Sequence, residues 1–373
     1  MVSGTLVTGM AWHTPLGDDL DGVWARLCAG ETGVAPVPSA HRLRSDLAAT
    51  VPAVASLADP VRRQHVLAVT TLRAVFENAG LHPADPDVTV VLGTSFGATL
   101  DARVPLSGWA ERAAEEAGHP MRPLTVTTAC SAASDSVAVA HALIRSGHSR
   151  ICVAGGVDVI TDAKRLGHTA LGTMSPTSTR AFDRAHDGMT LGEGAGLLVL
   201  ESEESAAQRG ARVLARLRGT GAANDASGLT APDTSGASVK AALRRCLAAA
   251  GSTPQDVAVV NVHGTGTPLN DSVEISSLQD VFGTRGPTLF GTKGAFGHSL
   301  GATGGIEAIA TVLALRNGVV PPVHGLRDPV PELTLPVPIR RARPIGRGAG
   351  MSVTLGFGGF DTCLLFDLPG GDR

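Results

Sequence analysis

Residues 125–137, TVTTACSAASDSV, decide how this chain folds. The β-branched run Thr125–Thr128 favours an extended strand, and Ala132–Ile144 reads as a helix of small residues. Cys130 then falls where the strand gives way to the helix, beside the unpaired N–H groups and the positive end of the helix dipole. Both favour thiolate over thiol. A cysteine so placed is a candidate nucleophile. Free cysteines are more often small buried hydrophobes, so the rest of the chain has to decide.

Working outward, the same alternation continues on both sides. GTLVTGMAWHTPLG gives a short strand ending in a Gly/Pro turn, Leu20–Leu27 a helix, and the Pro- and Ala-rich stretch to Pro60 a loop. Val61–Ala79 carries helical spacing and is stopped by Gly80. DVTVVL (87–92) is an apolar strand, residues 108–118 a polar helix, and Ile151–Ala154 a buried strand. From Ala211 the pattern begins again: a strand (ARVLARLRG), a helix over 236–250, a strand over 257–262 and a helix from about Thr303 to Leu315. TCLLF is the last strand. Alternating strands and helices predict an α/β protein with sheets covered on both faces. Its two similar halves would be 1–205, carrying the cysteine, and 206–373. LGEGAG (191–196) imitates a phosphate loop, but a strand follows its glycines where a helix is required, so no nucleotide site is expected.

Composition sets the outer limits. The 373 residues are 43% apolar but only 3% aromatic, with no tyrosine, so the core must be built from closely packed Ala, Val, Leu and Gly. A net charge of −3 gives no electrostatic case for nucleic acid or a membrane surface. No apolar run is long enough to span a bilayer. Cys28, Cys130, Cys152, Cys246 and Cys363 show no paired spacing, which argues against a disulfide framework or a zinc site. A soluble, cytoplasmic protein is expected.

Two further loops carry chemistry. The strand VAVVNV delivers His263 into HGTGTPLND, where Gly264, Gly266 and Pro268 shape a tight loop; Asp271 and Glu274 follow, to tune the ring or to hold the turn. In GTKGAFGHSLGATGGIE, Lys293 and His298 share one glycine-rich loop. A lysine buried there would need a carboxylate partner, and Glu307 is the one in reach. A thiol, two imidazoles and a lysine are more specific together than any one alone.

TTACSAAS, DGMTLGEGAG, HGTGTPLND, KGAFGHSLGATGGIEA and GFGGF resemble the motifs of elongating β-ketoacyl-acyl-carrier-protein synthases, in order along nearly the whole chain. The resemblance implies a thiolase-like fold, with two βαβαβαββ halves in five αβαβα layers. It also implies a dimer, of like subunits or with a second ketosynthase-like chain. By motif, Cys130 would be acylated from the pantetheine of an acyl carrier protein, and the N–H groups of Cys130 and Phe357 would form the oxyanion hole. His263 and His298 would bind the malonyl thioester carbonyl, Lys293 with Glu307 would hold the histidine loop, and the Phe357 ring would gate the two half-reactions. The product would be a 3-oxoacyl thioester of polyketide or fatty-acyl biosynthesis, made without metal or redox cofactor. Cys363, beyond GFGGFDT, reads as a core residue rather than a second catalytic thiol.

The chain departs from the family pattern twice. The stretch 98–124 before the nucleophile is short, which touches the acyl pocket and the dimer contact. Val353 and Thr354 replace the usual asparagine-serine before GFGG, predicting looser support of the gate. Arg340, Arg341, Arg343 and Arg347 form a basic run, read as a solvated loop or as a patch for an acidic carrier. Two other functions stay open: transfer of the Cys130-bound acyl group to an amine or alcohol, and a partner subunit that shapes another synthase's pocket, akin to a chain-length factor.

Overall fold

A computed structural model describes residues 5–98 and 105–370. Ten strands form the main sheet. In chain order they are β1 (Thr5–His13), β2 (Val88–Gly93), β3 (Leu124–Val126), β4 (Ile151–Asp158), β5 (Gly194–Glu201), β6 (Ala215–Asn224), β7 (Val257–Asn261), β8 (Thr288–Phe290), β9 (Ala349–Gly356) and β10 (Phe360–Asp367). The helices that matter are α1 (Pro60–Ala79), α2 (Gly108–Glu116), α3 (Ala132–Arg145), α4 (Asp162–Ala170), α5 (Ala237–Ala250), α6 (Pro268–Phe282) and α7 (Thr303–Asn317).

The strand order is β8-β7-β9-β10-β6-β1-β5-β4-β2-β3. Read outward from the β1–β6 seam, each half places its first strand, then its fifth, fourth, second and third. The senses repeat as well: two antiparallel pairings followed by two parallel ones. The halves are therefore structural copies, joined where Thr5–Val7 runs antiparallel to Ala215–Leu217.

Apolar burial sorts the chain into layers. One core cluster lies between α1/α2 and the first half's strands, and a second between α5/α6 and the second half's strands. The third, around α3 and α7, fills the middle. Thr303–Leu315 of α7 is buried on every side, as a helix between two sheets must be. The result is the five-layer thiolase-like arrangement.

Two local expectations need correction. The second-half strand begins at Ala215 rather than Ala211, because the Ala211 N–H is still committed to Ala206 O at the end of the preceding short helix (2.8 Å). The stretch before Pro60 is not all loop: Val34–Pro36 pairs with Leu47–Ala49, which pairs in turn with Leu191–Gly192. Of the short stretch 98–124, residues 99–104 lie outside the described residues. The remainder forms α2 and then β3 at the sheet's edge, with Met121 and Leu124 exposed. Among the described residues no helix is long and apolar enough to cross a membrane.

Candidate active site

The turn that carries Cys130 is built under constraint. Ala129 takes φ +49°, a left-handed conformation that costs a non-glycine residue energy, and one tight turn (Ala129–Ser131) leads into α3. Most of what holds it comes from the other half. Ser131 Oγ donates to Phe360 O, Asp135 accepts from Thr128 and Thr362, and Ser134 Oγ meets Thr354 Oγ1 at 2.8 Å. Thr354 thus braces β9 against α3, and Val353 is fully buried in the core, so each replacement residue has a packed or hydrogen-bonded place.

Cys130 is 5% exposed, and both its own N–H and that of Phe357 face the sulfur. Burial nevertheless pushes the thiol up to about 11, against the pull of the Phe357 N–H and the Lys293 charge. The helix terminus therefore does not make a resting thiolate, contrary to the expectation from position alone. Desolvation outweighs it.

His263 and His298 are both buried, their rings edge to face with centroids 5.3 Å apart. Glu274 accepts from His263 N (2.6 Å) and Gly264 N (2.8 Å), and Asp271 accepts from Gly266 N (3.1 Å), Phe182 N (2.7 Å) and His186 Nδ1 (2.8 Å). The two carboxylates at the start of α6 hold the His263 loop by its backbone rather than touching the ring. His298 Nδ1 accepts from Leu300 N (3.1 Å), which places the proton of the neutral ring on Nε2 and makes that nitrogen a donor. Burial first, and then the Lys293 charge, drives both imidazoles well below the usual range, so both are neutral.

Lys293 and Glu307 form an ion pair of 2.7 Å, each 1% exposed, with Thr292 Oγ1 also donating to Glu307 (3.0 Å). LGEGAG finds its use here. Leu191 and Gly192 run alongside His298, with Gly192 N to His298 O at 2.8 Å and His298 N to Thr190 O at 2.8 Å. A Cβ on Gly192 would lie 2.2 Å from Phe296 O. The glycine admits the histidine loop, not a phosphate.

One residue of the site carries no sequence motif of its own. Asp158, at the end of β4, accepts from Ser95 N (2.8 Å) and Gly301 N (2.9 Å) and pairs with the Lys164 ammonium. It ties the end of β2 to the His298 loop; a lone aspartate closing an apolar strand was its only signal. Glu193 accepts from Val51 N and Ile160 N (both 3.2 Å) and pairs with Arg63 at 3.3 Å. Phe357 sits in the turn between β9 and β10, its ring stacked on His168 of α4 (centroids 5.6 Å, 28°). Leu229 O and Asp225 N hold the turn through Gly358 N and Gly359 O, both 2.8 Å. Beside the turn opens a groove of about 440 Å³, lined by Ala129, His168, Leu300 and Phe357 among others.

Other residues fall outside this centre. Cys363 is fully buried in the second-half core. Arg340, Arg341, Arg343 and Arg347 are exposed, and Arg340 joins Arg180 and Arg327 around a separate cleft of about 600 Å³. No cluster of metal-ligating side chains occurs among the described residues.

Comparison with known proteins follows the geometry. The family described as "Beta-ketoacyl synthase, N-terminal domain" matches residues 5–206, and its C-terminal counterpart matches 214–327. Nodulation protein E of Rhizobium sp. (strain N33) is 32% identical, over 97% of this chain and 98% of that protein. The 3-oxoacyl-[acyl-carrier-protein] synthase 2 of Mycobacterium tuberculosis (strain ATCC 25618 / H37Rv) is 29% identical, over 97% and 96% respectively. Among solved structures, the ishigamide ketosynthase/chain length factor superposes with a TM-score of 0.90 at 29% identity, covering 99% of this chain and 100% of that one. A β-ketoacyl synthase from Burkholderia phymatum STM815 gives 0.88 at 27%, covering 98% and 99%.

Proposed function

The chain belongs to the β-ketoacyl synthase family and is an acyltransferase of the ketosynthase type, and from that premise we propose that it performs a decarboxylative condensation on acyl and malonyl groups carried by an acyl carrier protein. The first half, 1–205, supplies the nucleophile; the second, 206–373, supplies the histidines, the lysine and the gate. One observation carries this reading. The N–H groups of Cys130 and Phe357 both lie beside the Cys130 sulfur, where the oxygen of an attacked thioester would develop its charge, and the Lys293 charge also acts on that sulfur.

In the first half-reaction the Cys130 sulfur attacks the acyl thioester carbonyl. A carbon–sulfur bond to Cys130 forms, the bond to pantetheine breaks, and the thiol proton leaves with the pantetheine sulfur. The two N–H groups hold the tetrahedral oxygen. In the second, the malonyl carboxylate leaves as carbon dioxide, and the electron pair of the broken carbon–carbon bond passes to an enolate. The Nε2–H of His298 donates to the enolate oxygen, with His263 beside it. A neutral donor suits this step, because the developing charge strengthens a hydrogen bond that is only modest to the ground-state carbonyl. The enolate carbon then attacks the acyl-Cys130 carbonyl, and the carbon–sulfur bond breaks to return the thiolate, which regains a proton. The sequence uses side chains and backbone groups alone and draws on no cofactor.

The relative named as a 3-oxoacyl-[acyl-carrier-protein] synthase and the solved ketosynthase/chain length factor support the carrier and a ketosynthase-like second subunit. The edge strand β3 is a surface for that subunit to cover. Five free cysteines fit the reducing cytoplasm. The test is intact-mass analysis of the protein mixed with an acyl carrier and then a malonyl carrier. An acyl adduct that is absent in Cys130→Ala, and is discharged as a 3-oxoacyl product, is the expected result. Acylation without malonyl decarboxylation points instead to transfer to an amine or alcohol, and no adduct with any carrier points to a partner subunit.

A further inference from the structure

The groove beside Cys130 is apolar over most of its wall, with Phe96, Leu171, Leu229, Leu300, Phe357 and Phe360 supplying side chains. Its polar groups are therefore conspicuous. The Lys164 ammonium is committed to Asp158 and to Val159 O, so lysine offers mainly its methylenes. His168 is different. Its Nδ1 lies 2.9 Å from Thr173 Oγ1, which leaves Nε2 without a hydrogen-bond partner among the described residues. Ser95, 2% exposed, has a hydroxyl that is buried and unpartnered and also lines the groove. Burial lowers the His168 ring to about 4, so it is a neutral imidazole at any working pH. A buried unsatisfied hydroxyl and an imidazole nitrogen without a protein partner, in a wall whose other polar groups are Lys164, Thr127 and Thr230, penalise a saturated chain and reward one that brings a matching group.

On the reading of Cys130 as the acylated residue, we propose that this groove selects an acyl chain bearing a hydroxyl group, with His168 as the specificity-determining residue and Ser95 as its second partner. The hydroxyl follows from proton bookkeeping. Thr173 Oγ1 lies within 3.3 Å of His168 O as well as 2.9 Å from Nδ1, so the hydroxyl proton can go to either. Nε2 is accordingly an acceptor or a donor by tautomer, and a substrate hydroxyl satisfies both where a ketone satisfies one. The ring that stacks on the Phe357 gate thus also reads what lies beyond it.

The experiment measures loading of Cys130 by intact mass from carriers bearing saturated, 3-hydroxy and 5-hydroxy chains of one length. Wild type should load one hydroxylated chain roughly tenfold to a hundredfold faster than the saturated chain. In His168→Phe, which keeps a stacking ring without nitrogens, that ratio should collapse to within about twofold; Ser95→Ala should reduce it partway, and His168→Gln should retain part of it. Unfolding of each variant is followed in parallel. Equal loading of all chains by wild type overturns the proposal, as does a His168→Phe that loses loading of every chain alike. In either case Cys130 of the wild type is still acylated and the proposed function stands. Absence of any adduct with any carrier removes both.

Discussion

Removing Glu307 should damage the protein far more than removing Glu307 and Lys293 together. The pair is 2.7 Å apart with both side chains 1% exposed, so each charge is tolerated only because of the other. Glu307→Ala leaves an ammonium in the core and should cost about 3–5 kcal/mol of stability. Lys293→Met is gentler, because a carboxyl can take up a proton. Burial already pushes the Glu307 carboxyl up, with Lys293 drawing it down; without the lysine only the upward push remains. The sign follows: a carboxyl whose folded pKa is raised binds its proton more tightly in the native state. Its stability is full below the unfolded value near 4.3 and is lost as pH rises, by about 1.4 kcal/mol per unit until the folded pKa is passed. Lys293→Met should therefore be close to wild type at pH 5 and clearly weaker at pH 8. The double variant Lys293→Met/Glu307→Leu replaces the pair with apolar groups of similar volume and should fall within about 1 kcal/mol of wild type at both pH values. Urea unfolding of the four proteins, with Glu307→Leu added to close the cycle, is measured at the two pH values. A double variant that loses the sum of the single losses, or a Glu307→Ala loss below about 1 kcal/mol, refutes the reasoning. Activity should separate from stability: the double variant should still accept an acyl group on Cys130 but lose malonyl decarboxylation.

Three further outcomes are expected. Because burial lifts the Cys130 thiol to about 11, alkylation by iodoacetamide should be slow at pH 7 and rise about tenfold per pH unit through pH 9; a plateau by pH 8 would show a thiolate formed much lower. Gly192→Ala would place a Cβ 2.2 Å from Phe296 O, so the His298 loop must shift; malonyl decarboxylation should fall about a hundredfold while acylation of Cys130 falls much less, and equal losses would contradict the placement. Arg340→Glu, on the exposed basic run, should lower kcat/KM for a carrier-bound acyl group severalfold at low salt and little at high salt; no salt-dependent difference would assign that run to solvent alone.

What could be read from the sequence depended on distance. Strand-turn-helix around Cys130, the His263 loop and the Lys293–His298 loop are local patterns, and they were legible because Gly, Pro and β-branched residues punctuate them. That these loops meet is not local, yet the combination of residue types pointed there: the two imidazoles lie edge to face, and the Lys293 charge acts on both rings and on Cys130. The Cys130 thiol went the other way, since a helix terminus is visible in sequence while burial to 5% exposure is not. Thr354 looked like a loss when compared with the usual residue, but its hydroxyl finds Ser134, 220 positions away. Asp158 and His168 escape a sequence reading for the same reason: each acts on segments far away along the chain. The repeat of strand order was only hinted at, because the halves share topology and not residues.

That repeat explains why the chemistry is shared between halves. α3 and α7 occupy equivalent places, and each is entered through a three-residue tight turn, Ala129–Ser131 and Leu300–Ala302. Both turns open on a non-glycine residue in the left-handed region, Ala129 at φ +49° and Leu300 at φ +51°. A strain that recurs at matched positions belongs to the architecture, not to one catalytic residue. In the first copy the next residue is Cys130; in the second it is Gly301, where a Cβ would fall 2.2 Å from Ser95 N. The second turn has a glycine's close approach where the first has the proposed nucleophile, and Asp158 secures it by accepting from both Gly301 N and Ser95 N. Freed from covalent work, it presents His298 just ahead of Leu300 through the Leu300 N–H to Nδ1 bond. One duplicated elbow thus yields a thiol on one side of the centre and an oriented imidazole donor on the other. Cys130→Gly should accordingly leave α3 and its turn intact, whereas Gly301→Cys should displace Ser95 and His298 together.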